Sequence, residues 1–180
     1  MYENKSSMQK VSLLILFIVF LLNTSFYPLH NRKDLWQTWK AIQESGRLEK
    51  RPVIVDIYAD WCVYCHKMDA TTYKNDSVYQ YLKEHYYRFK FNGESKDTLE
   101  WNNKKFAWNR NYKLHDFYIY LANGNLAFPT TAIITPDGQA FATAGFIEVN
   151  EMEALLKYFV SAYPAISFEE FNRSFKPAWK

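Results

Sequence analysis

Cysteine is scarce in this chain, with only two residues among 180, Cys62 and Cys65. Glycine and proline are also few, at 5 and 6 residues, which excludes a collagen-like or low-complexity chain. Because only two residues separate the cysteines, a purely structural disulfide would close a very small loop and stabilise the fold little. The pair is therefore a candidate for redox chemistry.

An excess of charge of one sign is also lacking. The 22 basic and 19 acidic residues give a formal net charge of +3 and form no long block of like charge. Nucleic-acid binding needs a concentrated basic patch, so we expect no nucleic-acid partner. Apolar residues make up 48% of the chain, which is enough for one packed domain, and a single domain with one site predicts a monomer.

A long hydrophobic segment is missing, since the uninterrupted apolar run covers only residues 13–22, after Lys5 and Lys10. A membrane span needs about 20 apolar residues, so the run fits a signal peptide, although residues 11–27 together also fit a short membrane anchor. Residues 1–27 are therefore interpreted as signal peptide or anchor, which predicts a periplasmic or otherwise extracytoplasmic protein. A cytoplasmic protein with a buried N-terminal helix is the alternative.

Apolar patterns after residue 27 predict a succession of helices and strands. Residues 53–58 form a nearly continuous β-branched run, which is typical of a strand buried on both faces. The predicted elements are a helix capped by Asp34 and ending near Gly46, strand 53–58, helix 62–73, a helix capped by Asn75 or Asp76, strand 87–91, strands 130–135 and 140–144, and a helix from Asn150.

The order of these elements predicts an α/β fold. The strand-helix-strand unit ending at residue 91 predicts a parallel pair, whereas the turn at residues 136–139 predicts an antiparallel hairpin. Residues 93–120, polar and aromatic by turns, are interpreted as a helical insertion. We divide the rest of the chain into a domain over residues 28–162 and a C-terminal extension over residues 163–180.

The two cysteines lie where the predicted strand gives way to a helix. At a helix start, the helix dipole and free N–H groups favour a thiolate at Cys62, and the thiolate is the form that attacks a disulfide. Cys65, one turn later, is placed to resolve the mixed disulfide that results. An extracytoplasmic chain would work where disulfides persist.

Residues 55–65, Val-Asp-Ile-Tyr-Ala-Asp-Trp-Cys-Val-Tyr-Cys, resemble the strand, tryptophan and redox loop of the thioredoxin superfamily. Residues 128–130, Phe-Pro-Thr, are similar to that family's cis-proline segment. The resemblance covers about residues 34–160 and extends to exported thioredoxin-like proteins and the C-terminal domain of the membrane electron-transfer disulfide reductase. It implies a thioredoxin-like mixed central sheet flanked by helices, and thiol–disulfide oxidoreductase activity directed towards reduction.

The resemblance also implies a role for each site residue. Cys62 attacks, Cys65 resolves, and Asp56 matches the buried acid that helps to deprotonate the resolving cysteine, with Lys90 as its partner. The resemblance further implies that the substrate is contacted by Trp61, Val63, Tyr64, Phe128, Pro129 and Thr130. The implied partners are protein disulfides and a thiol electron donor, and no cofactor is expected beyond the redox-active Cys62–Cys65 disulfide.

Two other functions would use the same residues, and a third would use the aromatic insertion. The sequence from Cys62 to His66 also satisfies the CxxCH pattern for c-type haem attachment, with Met68 as a candidate axial ligand. A copper or zinc site would need Cys62, Cys65, His66 and Met68 to point at one ion from one helix start, so we expect no metal. A thioredoxin-fold binding module or chaperone, using the aromatic insertion as its contact surface, is the alternative of a different class.

Overall fold

The structure is a computed structural model, and it describes residues 35–46 and 49–180. The predicted signal peptide or anchor, residues 1–27, and the predicted cap Asp34 lie outside the described residues. None of the described helices is both long enough and apolar enough to cross a membrane.

Between residues 39 and 161, the helices and strands follow the order that the sequence predicts, except within residues 93–120. In chain order they are α1 (Trp39–Ser45), β1 (Val53–Tyr58), α2 (Val63–Ala70), α3 (Asp76–His85), β2 (Tyr87–Asn92), β3 (Leu99–Trp101), β4 (Lys104–Phe106), β5 (Trp108–Asn109), β6 (Leu114–His115), α4 (Asp116–Ala122), β7 (Thr130–Ile134), β8 (Ala140–Ala144), α5 (Val149–Ser161) and α6 (Phe168–Ser174).

A mixed four-stranded sheet with the order β2-β1-β7-β8 lies at the centre of the fold. Strands β1 and β2 are parallel, and β7 is antiparallel to both β1 and β8. The predicted parallel pair, the predicted hairpin and the α/β fold class with a mixed central sheet are therefore confirmed. At the β2 edge, Gln37 adds a single parallel bridge to Phe89.

Side chains of β1 alternate between two hydrophobic cores, one on each face of the sheet. Ile54 belongs to the core formed with α2, α3 and α5, whereas Val55 and Ile57 belong to the core formed with α4 and β3. Residues 54–57 are all buried, so the prediction of a strand buried on both faces is confirmed. The same alternation places Asp56 on the face that α2 covers.

The segment at residues 93–120 is not the helical insertion that the sequence predicted. Only α4 is helical, and β3–β4 and β5–β6 form two antiparallel hairpins, so the helical prediction is wrong for residues 99–115. Asn102 and Asn103 lie between β3 and β4 with φ of 49° and 60°. Such left-handed residues make the tight turns that join two strands, and asparagine tolerates them better than most residues.

Helix α1 begins later than the sequence predicted. The hydroxyl of Thr38 accepts the N–H of Ala41 at 3.2 Å and caps the helix there, and Gln37, just before the cap, bridges to Phe89 of β2. On the far side of the helix, the indole N–H of Trp39 donates to the carbonyl of Glu100 at 2.9 Å. This bond fixes β3 against α1.

The C-terminal extension packs back onto the domain. Glu153 of α5 is completely buried, and its Oε2 accepts the N–H groups of Ala178 and Trp179, each at 2.7 Å. Its Oε1 accepts a hydrogen bond from Lys157 at 2.6 Å. These charge-assisted bonds satisfy the buried carboxylate and hold the tail on α5.

Candidate redox-active site

Cys62 and Cys65 form a disulfide at the start of α2, with Cα atoms 5.3 Å apart. Cys62 is the N-cap of the helix and not its first helical residue, and its Sγ accepts the N–H of Cys65 at 3.0 Å. This position places the Cys62 sulfur at the positive end of the helix dipole, which favours a thiolate once the disulfide is reduced.

An exposed apolar surface surrounds the nearly buried disulfide. Trp61, Val63 and Tyr64 are 66%, 76% and 61% exposed, whereas the two cysteines are 4% and 2% exposed. Large apolar side chains that stay exposed beside a reactive group are typical of a contact surface for a partner. These three side chains therefore form an exposed apolar border beside the disulfide.

The Phe128–Pro129 peptide bond is cis, as the resemblance implied. The Phe128 ring packs against the cluster that contains both cysteines, and it meets Trp61 edge to face with ring centroids 5.6 Å apart. Pro129 and Thr130 are both buried, unlike the exposed Trp61, Val63 and Tyr64, and the hydroxyl of Thr130 donates to the carbonyl of Ala127 at 2.5 Å. The Thr130 side chain therefore holds the cis-proline segment in place through this hydrogen bond.

Gly93, which the sequence analysis did not single out, leaves room for the Phe128 ring. A Cβ at Gly93 would lie 2.8 Å from two ring carbons of Phe128 and 2.9 Å from a ring carbon of Tyr118. Real Cβ atoms do not approach other atoms this closely, so any larger residue would displace one of the two rings. The position of Phe128 beside the disulfide therefore depends on a glycine at the end of β2.

Asp56, Lys90 and Asp69 form an ion-paired group on the α2 side of the sheet. The Lys90 ammonium donates to Oδ2 of Asp56 at 2.7 Å and to Oδ1 of Asp69. Asp56 and Lys90 are register partners on β1 and β2, whereas Asp69 lies on α2. Asp69 follows Cys65 by four residues, so both side chains lie on the same face of that helix. Lys90 thus links the buried Asp56 to the helix that carries the disulfide.

Burial and the two charged neighbours together set the pKa of the Asp56 carboxyl. Burial raises the pKa of Asp56 to about 6, the positive charge of Lys90 opposes the rise, and the negative charge of Asp69 adds to it. Burial by itself would lower the pKa of Lys90, but the two carboxylates outweigh burial and raise it. A carboxyl that titrates near pH 6 is suited to exchange protons at physiological pH.

Tyr73 and Thr131 border Asp56 on the same face of the sheet. Thr131 is the register partner of Asp56 on β7, and its hydroxyl lies 3.5 Å from the hydroxyl of Tyr73. Burial, followed by the negative charge of Asp56, raises the pKa of Tyr73 well above its usual value. Tyr73 therefore stays a neutral phenol at any pH at which the site would operate.

Hydrogen bonds tie Trp61 to the end of β2. The Trp61 indole N–H donates to Oε2 of Glu94 at 3.1 Å, and the Glu94 N–H donates to Oδ1 of Asn92 at 2.8 Å. The amide of Asn92 donates in turn to Oδ2 of Asp60 at 3.2 Å. The start of the segment at residues 93–120 therefore borders the tryptophan of the redox loop, a tertiary relationship without a local sequence signal.

His66 and Met68, the extra residues of the haem and metal alternatives, have other contacts. The His66 ring is exposed, with Nε2 2.9 Å from the carbonyl oxygen of Asp60, and Met68 is completely buried in the core under α2. Among residues 35–46 and 49–180, no three His, Cys, Asp or Glu side chains are grouped so that they would hold a metal ion.

Comparison with known proteins found similar sequences and folds. The chain is 33% identical over 60 residues to the thiol:disulfide interchange protein DsbD from two strains of Vibrio vulnificus, CMCP6 and YJ016. This match covers 33% of the chain and 9% of each DsbD, so the chain spans a small part of these relatives. A thioredoxin-fold protein from Helicobacter pylori superposes with a TM-score of 0.51 at 14% identity, covering 69% of this chain and 79% of that one.

The match to a sequence family is more extensive. Residues 24–160 match the thioredoxin-like domain family, and this range contains the disulfide, the ion-paired group and the cis-proline. A CxxC disulfide at a helix start within such a domain is the redox-active site of a thiol–disulfide oxidoreductase. The resemblance to the thioredoxin superfamily that the sequence showed is confirmed. The family match, the fold and the site together show that the chain belongs to the thioredoxin-like domain family.

Proposed function

We propose that this protein reduces disulfides in other proteins outside the cytoplasm by cycling Cys62 and Cys65 between dithiol and disulfide. The observation that carries the proposal is the Asp56–Lys90–Asp69 group beside the disulfide-bearing helix. A carboxyl with a pKa near 6 is a base for the resolving cysteine, and assisted resolution favours delivery of two electrons to a substrate.

The reaction begins with the reduced protein. The Cys62 thiolate attacks one sulfur of the substrate disulfide, so a Cys62–substrate disulfide forms and the other substrate sulfur leaves as a thiolate. Asp56 accepts the Cys65 proton, and the Cys65 sulfur then attacks Cys62. The Cys62–Cys65 bond forms, the second substrate sulfur leaves as a thiolate, and the substrate has gained the two electrons that the dithiol has lost.

A thiol electron donor reverses these steps and restores the dithiol. Its attacking thiolate forms a mixed disulfide with Cys62, Cys65 leaves, and a second thiol of the donor releases Cys62. The cycle uses the Cys62–Cys65 disulfide as its only redox group, so the proposal includes neither a cofactor nor a metal. The donor itself is oxidised to a disulfide.

Substrate binding is assigned to the surface around the disulfide. Trp61, Val63 and Tyr64 provide exposed contact area on one side, and the resemblance implies that the backbone of the cis-proline segment, residues 128–130, meets the substrate on the other. An extended substrate segment placed between them would bring its disulfide to the Cys62 sulfur. The buried Thr130 side chain holds this segment in place through its hydrogen bond to the carbonyl of Ala127.

The extracytoplasmic location is supported by two observations. The apolar run at residues 13–22 behind two lysines is typical of an export segment, and part of the chain is similar to a thiol:disulfide interchange protein. Fractionation of cells that produce the full chain with a C-terminal tag tests this part. Recovery in the cytoplasmic fraction would contradict it.

A trapping experiment tests the mechanism. We expect Cys65→Ala to accumulate a mixed disulfide between Cys62 and substrate proteins, because no second thiol resolves it. The matched control Cys62→Ala should accumulate none, since the attacking sulfur is absent. Titration of the wild-type thiols against glutathione and dithiothreitol buffers should give a reversible two-electron couple at or below about −200 mV.

Three results would contradict the proposal. A couple near about −120 mV would indicate an oxidase. If there is no reversible couple and no trapped partner, the protein is a thioredoxin-fold binding module. A visible haem absorption band in purified protein would instead support covalent attachment at the CxxCH sequence.

A further inference from the structure

We propose that the β5–β6 hairpin, residues 108–115, is a docking arm for acidic segments of the protein substrate. The inference rests on the proposed function and deepens it, because it names a chemical property of the substrates. The arm belongs to the segment at residues 93–120, and no residue of the arm takes part in the proposed redox steps.

The arm is joined to the residues that border the disulfide. The N–H of His115 in β6 donates to the carbonyl of Gly93 at 2.7 Å. Gly93 lies against Phe128, and the next residue, Glu94, accepts the indole N–H of Trp61. Residues 93–94 are therefore a common base for the arm and for the aromatic surface around Cys62, so a partner held by the arm would lie beside the disulfide.

Hydrogen bonds fix the tip of the arm in one conformation. Oδ1 of Asn109 accepts the N–H groups of Asn111 and Tyr112 at 3.0 and 3.3 Å. The amide of Asn109 also donates to Oδ1 of Asp116 at 2.8 Å, which anchors the turn to α4. A tip that is already ordered loses little conformational entropy when it binds a partner.

The tip presents two cations, Arg110 and Lys113, and the exposed phenol of Tyr112. Arg110, Tyr112 and Lys113 are all exposed, with Tyr112 at 60%, and no carboxylate in the described part of the chain forms an ion pair with Arg110 or Lys113. At the base of the arm, the Lys96 ammonium lies 2.9 Å from the centroid of the Trp108 ring. Arginine and tyrosine are the side chains that most often provide the binding energy of protein interfaces.

The carboxylates of the same segment form hydrogen bonds with uncharged side chains and no ion pair with Arg110 or Lys113 in the described residues. Glu94, Asp97 and Asp116 each accept a hydrogen bond from an uncharged side chain. The exposed guanidinium of Arg110 is suited to bidentate binding of a carboxylate, and Lys113 adds a second positive charge. Charge complementarity therefore selects an acidic polypeptide segment, and the position of the arm selects one that lies near a disulfide.

The test compares peptides that carry the same disulfide and differ only in an acidic, neutral or basic tail. The arm variant of the full chain is Arg110→Gln with Lys113→Gln. The control is Lys50→Gln with Lys176→Gln, which removes the same charge from exposed positions before β1 and after α6. Wild type should reduce the acidic peptide with a kcat/KM about 5- to 10-fold above that of the neutral peptide, at low salt.

The arm variant should bring this ratio to within about twofold by raising KM at unchanged kcat, whereas the control keeps the wild-type ratio. Added salt should weaken the wild-type preference. Equal kcat/KM for all three peptides in wild type would overturn the proposal that the arm binds acidic segments, and the proposed oxidoreductase function would stand. Failure to reduce any peptide would overturn the proposed function and the arm with it. Loss of binding to phosphatidylglycerol vesicles in the arm variant, with the peptide preference unchanged, would overturn the arm in favour of a membrane contact.

Discussion

The ammonium of Lys90 lies 2.7 Å from Oδ2 of Asp56, on the adjacent parallel strand, and it also donates to Asp69 on the helix of the disulfide. Attraction to Lys90 lowers the pKa of Asp56, whereas repulsion from Asp69 raises it. The two neighbours therefore act on one buried carboxyl in opposite directions. This opposition makes the site testable by charge removal.

Removing each neighbour should shift the pKa of Asp56 in opposite directions. Lys90→Met removes the attraction, so we expect the pKa to rise above the value of about 6, and Asp69→Asn removes the repulsion, so we expect it to fall. Carboxyl chemical shifts followed by NMR from pH 4 to 9 measure both changes. Glu169→Gln, on exposed α6, is the control and should change nothing. Shifts of the same sign in the two site variants would contradict this account.

Neutralising Asp56 should slow the resolving step. In wild type we expect the rate of substrate release from the Cys62 mixed disulfide to rise with pH through about 6, because ionised Asp56 accepts the Cys65 proton. Asp56→Asn should lose this inflection and release substrate at least about 10-fold more slowly at pH 7. Acid quench followed by alkylation and mass analysis measures the mixed disulfide directly. The same pH profile in both proteins would remove Asp56 from the mechanism.

The same carboxyl should make the fold less stable as the pH rises. The pKa of Asp56 is raised from 3.8 to about 6 in the folded protein, so the native state binds this proton more tightly than the unfolded state does. Stability from this group is therefore fully present below about pH 4 and is lost as the pH rises through about 6. Relative to Asp56→Asn, the wild-type free energy of unfolding should fall by about 1 kcal/mol between pH 5 and pH 8. Denaturant titrations at both values measure it, and parallel changes in the two proteins would contradict it.

A methyl group at residue 93 should disturb the site without touching the cysteines. Gly93→Ala places a Cβ 2.8 Å from the Phe128 ring and 2.9 Å from Tyr118, so one ring must move. We expect a loss of about 1 to 3 kcal/mol in the free energy of unfolding, the usual cost of overpacking. The catalytic efficiency on protein disulfides should also fall. Gly124→Ala is the matched control for space, because a Cβ at Gly124 meets nothing within 4 Å, although its φ of 85° adds strain.

The main sheet was predictable because its signals are local. The β-branched run of β1 and the hairpin of β7 and β8 each contain several residues with the expected pattern, and the structure confirms both. Strands β5 and β6 contain two residues each, which is too short for any period to emerge. The Asn102–Asn103 turn was the signal that could have identified the first hairpin of this segment.

The site was predictable only where the sequence carries a motif or a spacing. The cysteines and the cis-proline follow from the motif, but Asp69 was missed although it lies four residues after Cys65, the spacing that places two side chains on one helix face. Gly93 and Glu94 carry no comparable signal. Their contacts with Phe128 and Trp61 depend on how the end of β2 packs against the redox loop.

The hydrogen bond from Trp61 to Glu94 should influence substrate binding more than chemistry. Glu94→Gln keeps a carbonyl oxygen that can accept the indole N–H, whereas Glu94→Ala removes the acceptor and frees a ring that is 66% exposed. We therefore expect Glu94→Ala to raise KM for a protein disulfide about 3- to 10-fold at unchanged kcat, and Glu94→Gln to stay close to wild type. Steady-state kinetics on all three proteins measure this difference. KM values raised equally in the two variants would show that the charge of Glu94, and not its hydrogen bond to Trp61, determines binding.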